Sequence, residues 1–295
     1  MATRAWHPLL CAVVVALAGC GGGGSSAADS SRAQPATATA TPSSSPPDRP
    51  SGAIEGSFDV GGHRLYVSCA GTRAPTVVYL HGFGGSSASA GIVPRLLGDR
   101  RVCVYDRANV GRSGMVPGPV TGADHVRDLH ALLRAAKVPG PYVLLGASLG
   151  GLIAQMYAAV HPRDVAGMVL LDAVLPGDLD IDRRLAPKDQ RPSPDDWKRT
   201  TEYFDVAATL REAHAIAARR SRIPVTYLAA DPVQVPPGWP ARRFRRAVRR
   251  EQRAFVGRFS RGRLAIVDAP HYMEPVIPER IAREVRRVVA DTRRS

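Results

Sequence analysis

The chain has 295 residues, 44% of them hydrophobic and 22% charged, with a formal net charge of +14 and four cysteines. That length suffices for one domain with a large core. Past the N-terminus no long apolar run suggests a membrane-spanning helix.

The N-terminal residues read as an address, not as fold. Arg4 supplies a positive start, and the apolar stretch 9–18, about ten residues long, is too short to cross a bilayer but suits a secretory signal. It ends Leu17-Ala18-Gly19-Cys20, which resembles the lipobox of bacterial lipoproteins. The resemblance implies a signal peptide over 1–19, cleavage before Cys20, and a lipid anchor on that cysteine. Each buried acyl methylene adds ~0.8 kcal/mol, so several chains on one residue hold firmly to a membrane. Residues 20–52 are mostly Gly, Ser, Ala, Thr and Pro. They cannot bury enough apolar surface to offset their ordering entropy and read as a flexible tether.

The fold is expected over 53–291. Apolar runs at 54–58 and 65–69 flank Gly61-Gly62 and predict a β-hairpin. A strand follows at 76–80, a helical stretch at 92–97 and a strand at 102–105. After Thr121 comes a longer helix with Val126, Leu129, Leu132 and Leu133 on one face. Then Tyr142-Val143-Leu144-Leu145 leads into Gly146-Ala147-Ser148-Leu149-Gly150, and Leu152, Ile153, Met156 and Tyr157 mark a helix. Further strands are expected at 168–171, 225–229 and 264–267, with helices between and after the last two. Alternating βα units after an antiparallel start predict an α/β fold: a mostly parallel sheet covered on both faces.

Strand, G-x-S-x-G turn and helix form the context of a nucleophile elbow, in which Ser148 stands at the tip of a strained turn. This order of elements, with the elbow, resembles the serine α/β-hydrolase superfamily over nearly the whole domain, implying an eight-stranded sheet. Leu80-His81-Gly82-Phe83-Gly84 matches the family's H-G oxyanion loop, so the amides of Phe83 and Leu149 are expected to face a developing oxyanion. Tyr105-Asp106-Arg107 through Gly111-Arg112-Ser113 resembles the stretch that follows the family's fourth strand, and loop-tying hydrogen bonds are expected of it. The order serine, acid, histidine then points to His271 as the base. Asp231, after the strand at 224–230, is expected as the acid. Asp172 at the end of the sixth strand and Asp205 near the end of the insertion are the other candidates. The resemblance also places strands two and four side by side, which brings Cys69 and Cys103 within reach of a disulfide.

Residues 174–205, rich in Pro and charge, read as a small cap over the pocket. Asp178, Asp180 and Asp182 alternate, but no loop glycine or closing glutamate makes them a calcium loop. No cysteine or histidine spacing reads as a zinc site, so no metal and no cofactor are expected. Much of the basic charge lies on a helix at 242–253, with Phe244, Val248 and Phe255 on an apolar side. Nucleic acid is excluded as a partner, because the chain carries an export signal and no recognition motif.

The expectation is a monomeric serine hydrolase, lipid-anchored outside the cytoplasm of a bacterium. Ser148, His271 and Asp231 would cleave a small or lipid-like carboxylic ester. An aminopeptidase, favoured by the acidic cap, and a perhydrolase are alternatives on the same fold, and a catalytically silent envelope-binding protein is the alternative from another class. Epoxide hydrolases and haloalkane dehalogenases of this fold use an aspartate nucleophile, which Ser148 argues against.

Overall fold

The computed structural model describes residues 52–191, 195–216 and 221–293. The expected signal, Cys20 and nearly all of the tether lie outside these residues. Eight strands form one sheet: β1 (Ile54–Asp59), β2 (Arg64–Ala70), β3 (Arg73–Leu80), β4 (Arg100–Tyr105), β5 (Tyr142–Ala147), β6 (Val165–Leu171), β7 (Ser221–Asp231) and β8 (Phe259–Asp268). Their order across the sheet is β1-β2-β4-β3-β5-β6-β7-β8. Only the pairs β1–β2 and β2–β4 are antiparallel; every later pair is parallel.

The central strands carry apolar side chains on both faces because both faces are covered. β5 reads YVLLGA and is buried throughout. Val78, Leu144, Leu170 and Tyr227 point to one core, and Val77, Val143, Val169 and Leu228 to the other, following the two-residue alternation of a strand. The first core is closed by α2 (Gly122–Ala135) and α3 (Leu149–Val160), and the second by α1 (Val93–Leu96) and α7 (Pro278–Thr292). The α2 start is a capping box: the Thr121 side chain accepts from the Asp124 amide, and the Asp124 carboxylate accepts from the Thr121 amide.

Between β6 and β7 the chain leaves the sheet to build the cap. The cap contains α4 (Asp178–Leu185), short 3-10 turns and α5 (Val206–Ile216). The alternating acids of the sequence thus lie on a helix, where Asp178 and Asp182 share a buried side and Asp180 pairs with Arg183 at the surface. The Arg-rich segment is α6 (Ala241–Val256), seated by Phe244 and Phe255. None of the described helices is long and apolar enough to cross a membrane.

Cys69 and Cys103 are direct register partners across β2 and β4 and form a disulfide. The bond closes a loop of 34 residues, and chain-entropy reasoning assigns such a loop ~4 kcal/mol of stabilisation through the unfolded state.

Candidate functional site

The sheet reverses its winding at β3. The chain moves outward from β3 to β4, then returns to lay β5 on the other side of β3. Ligand sites of such sheets form beyond the carboxyl ends of the strands at this switch point. Here β3 runs out into His81-Gly82 and β5 into Ser148, with Leu80 and Gly146 in register.

Ser148 has φ +48° and ψ −117°, a conformation that non-glycine residues adopt only under constraint. Its surroundings impose it. A Cβ on Gly146 would meet the Gly151 Cα at 2.6 Å, and one on Gly150 would collide with the backbone carbonyl of Leu80. The glycines of the motif are therefore there for close approach, between the elbow strand, its helix and the neighbouring strand. Hydrogen bonds fix the turn on its other side: the Ser148 amide donates to Leu171 O (2.9 Å) and the Val174 amide to Ser148 O (3.1 Å). Leu149 opens α3, where helix-terminal amides are left without intrahelical acceptors.

His271 lies in the loop after β8, and its Nδ1 is 2.7 Å from Asp172 Oδ2. This corrects the expected acid. Asp172 directly follows β6, adopts φ +36°, and accepts a second hydrogen bond from the Ala230 amide (3.1 Å) at Oδ1. Asp231 is not at the site. β7 remains paired with β8 through Asp231 itself, in register with Asp268, so the expected exit from the strand comes one residue later. The pleat then sends the Asp231 side chain to the same side as Tyr227 and Ala229, toward α6. There Arg249 Nη2 holds its Oδ1 at 2.7 Å, and the carboxylate is 59% exposed. Asp205 is not there either: its Oδ1 accepts from the Ala208 amide (2.8 Å) and caps the start of α5.

Burial alone would press the His271 imidazole down. The hydrogen bond to Asp172, the Asp172 charge and the nearby Glu274 charge outweigh it and hold the group above its ordinary value. Glu274 is itself buried and accepts from Tyr79 Oη at 2.8 Å. Ser148 Oγ and His271 Nε2 are both shielded from solvent and have no hydrogen-bond partner among the described residues.

The loop carrying Phe83 is clamped from below and from the cap. Cβ space at Gly82 opens onto Ser148 Cβ at 3.5 Å, so this segment passes directly beside the serine. Arg107 donates to His81 O (2.6 Å) and Gly82 O (3.0 Å). Its guanidinium is also paired with Glu202 at 2.9 Å, both side chains fully buried, and Glu202 Oε1 accepts from the Gly84 amide (2.8 Å). His81 is held well below its ordinary value, first by burial and then by the Arg107 charge. The neutral ring fits its contacts, with Nδ1 on Gly82 O (2.8 Å) and Nε2 facing the Arg107 amide (3.5 Å). Asp106 accepts from the amides of Ser87 (2.6 Å) and Arg112 (2.9 Å), the loop-tying role read from sequence. The part played by Glu202 had no local signal, since it comes from the irregular cap.

The cap closes over this centre. A cavity of about 60 Å³ beside it is lined by Asp172, Val174, Asp178, Tyr227, Phe244 and His271. Burial pushes Asp178 up to about 7 and Asp182 up to about 8, so neither is a fully charged anchor for a substrate amine at neutral pH.

Residues 75–267 match the family model described as alpha/beta hydrolase fold. An uncharacterized protein YqjL of Bacillus subtilis is 35% identical over 106 residues, which is 36% of this chain and 42% of that protein. The pimeloyl-[acyl-carrier protein] methyl ester esterase of Chromobacterium violaceum is 38% identical over 107 residues, covering 36% of this chain and 40% of that enzyme. The chain thus spans about two fifths of the length of these relatives. Among solved structures, the delta mutant of DBJA superposes with a TM-score of 0.60 at 19% identity, over 82% of this chain and 99% of that one, a likeness of fold.

Proposed function

Because the chain belongs to the alpha/beta hydrolase fold family, we propose that it is a serine hydrolase that cleaves carboxylic esters without a cofactor. The observation that carries this reading is the Asp172–His271 bond, placed at the strand ends that also hold the elbow serine. In this mechanism His271 Nε2 draws the proton from Ser148 Oγ as the oxygen attacks the ester carbonyl. Asp172 keeps the proton on Nδ1 and stabilises the imidazolium that forms. The amides of Phe83 and Leu149 receive the oxyanion, the alcohol departs with the proton from His271, and water then releases the acyl group by the same route.

A serine at the elbow favours this over chemistry by an aspartate nucleophile. The ester as substrate class draws on the Chromobacterium violaceum relative, a methyl ester esterase. A fluorophosphonate probe should label the wild-type chain stoichiometrically and leave Ser148→Ala unlabelled. Labelling that persists in Ser148→Ala would remove the serine from this role.

The envelope is the proposed place of action, and Leu17-Ala18-Gly19-Cys20 is the support for it. Mass spectrometry of the mature protein should find an N-terminal acylated Cys20. An unmodified N-terminus at another residue would contradict the anchor.

A further inference from the structure

Away from the elbow, the fold assembles a group that no sequence spacing revealed. His130 lies on α2, His161 ends α3, and Asp164 stands just before β6. One ligand atom from each lies within 4.8 Å of the others. The two imidazoles are stacked with centroids 4.0 Å apart, and His130 Nδ1 is 3.5 Å from Asp164 Oδ2. We propose that His130, His161 and Asp164 form a binding site for a divalent transition ion, of which zinc is the representative.

The donor set argues the class of ion. Two imidazole nitrogens and one carboxylate oxygen suit zinc and its neighbours, whereas calcium and magnesium seek oxygen shells. Two ligands each about 2.1 Å from a tetrahedral ion are about 3.4 Å apart, and the nitrogen–oxygen pair of His130 and Asp164 already stands at 3.5 Å.

The backbone holds two of the ligands in place. The His161 amide donates to Tyr157 O (2.8 Å), the Asp164 amide to His161 O (3.0 Å), and Asp164 O accepts from the Tyr142 amide (2.7 Å). His161 and Asp164 therefore sit on one pinned turn, and His130 faces them from the neighbouring helix. The His130 and Asp164 side chains are 31% and 39% exposed, which gives an ion a path in. Binding requires the parallel rings to tilt so that both nitrogens face one point. Tyr157 Oη lies 3.3 Å from His130 Nδ1, a hydroxyl contact that an incoming ion displaces from that nitrogen.

The site lies one full helix away from Ser148. At ~1.5 Å per residue, the α3 residues between put roughly 18 Å between the two, so the ion acts as a clasp joining α2, α3 and β6. The experiment uses the full chain, stripped with EDTA and titrated with zinc chloride by calorimetry and thermal unfolding. The expected result is one zinc per chain and a rise in Tm, both lost in His161→Ala and in Asp164→Asn but kept in His214→Ala, with esterase activity unchanged throughout. Imidazole NMR of the wild type provides a second reading that needs no variant: zinc should shift the His130 and His161 signals and leave His214 in place. Absence of stoichiometric zinc binding, equal binding by His161→Ala, or shifts confined to other histidines would overturn the site.

Discussion

Replacing Asp172 with asparagine is expected to lower kcat by roughly four orders of magnitude, with KM little changed. The amide can sit where the carboxylate does, but it favours the wrong tautomer of His271 and leaves the imidazolium without its countercharge. Asp231→Asn should turn over within about twofold of wild type, because that side chain is a solvent-facing partner of Arg249. The same pair of variants predicts a movement in pH. His271 must be neutral to act as base, so kcat/KM should fall as pH drops through its pKa. That pKa is raised, and the acidic limb of the wild-type profile therefore lies above the ordinary imidazole value of 6.5. Asp172 supplies the two leading upward influences, so in Asp172→Asn burial prevails and the limb moves to lower pH. Steady-state kinetics over a pH series checks both statements. Collapse of activity in Asp231→Asn with normal turnover in Asp172→Asn would reverse the assignment.

The elbow was legible because its chemistry is local. A strand, two glycines around a serine and a helix follow one another in sequence, and each is demanded by its immediate neighbours. The acid was not legible for the same reason inverted. Whether Asp231 faces the site depends on where β7 stops pairing with β8, and a ladder that runs through Asp231 commits its side chain to the side of Tyr227 and Ala229. The hydrophobic pattern of 225–230 is identical in both cases. Asp172 carries φ +36°, a feature with no sequence signature at an aspartate. The disulfide was legible only through resemblance to a family whose second and fourth strands are neighbours, since 34 intervening residues say nothing of register. The histidine pair on α2 and α3 was hidden in the same way. Residues 130 and 161 share no motif, and only the packing of two helices on one face of the sheet brings their rings together.

Glu202→Gln is expected to damage stability and catalysis together, because one carboxylate serves both. In the folded chain Glu202 neutralises Arg107 where neither is reached by water. Removing one member of a buried pair leaves an uncompensated charge and typically costs about 3–5 kcal/mol. For a domain of this size that is a fall in Tm of roughly 6–20 °C. Catalysis suffers because Glu202 also holds the Gly84 amide while Arg107 holds the carbonyls of His81 and Gly82. These three bonds frame Phe83, the proposed oxyanion donor. A donor moved out of line costs about 10²–10³ in kcat and leaves ground-state binding largely alone. The double variant Arg107→Met with Glu202→Leu separates the two effects. Apolar replacement of both partners removes the buried charges, so Tm should recover much of the loss. The loop remains untied, so kcat should stay low. Wild-type Tm and kcat in Glu202→Gln, measured by thermal unfolding and ester hydrolysis, would show that the clamp does neither. Recovery of kcat along with Tm in the double variant would show that it supports the fold alone.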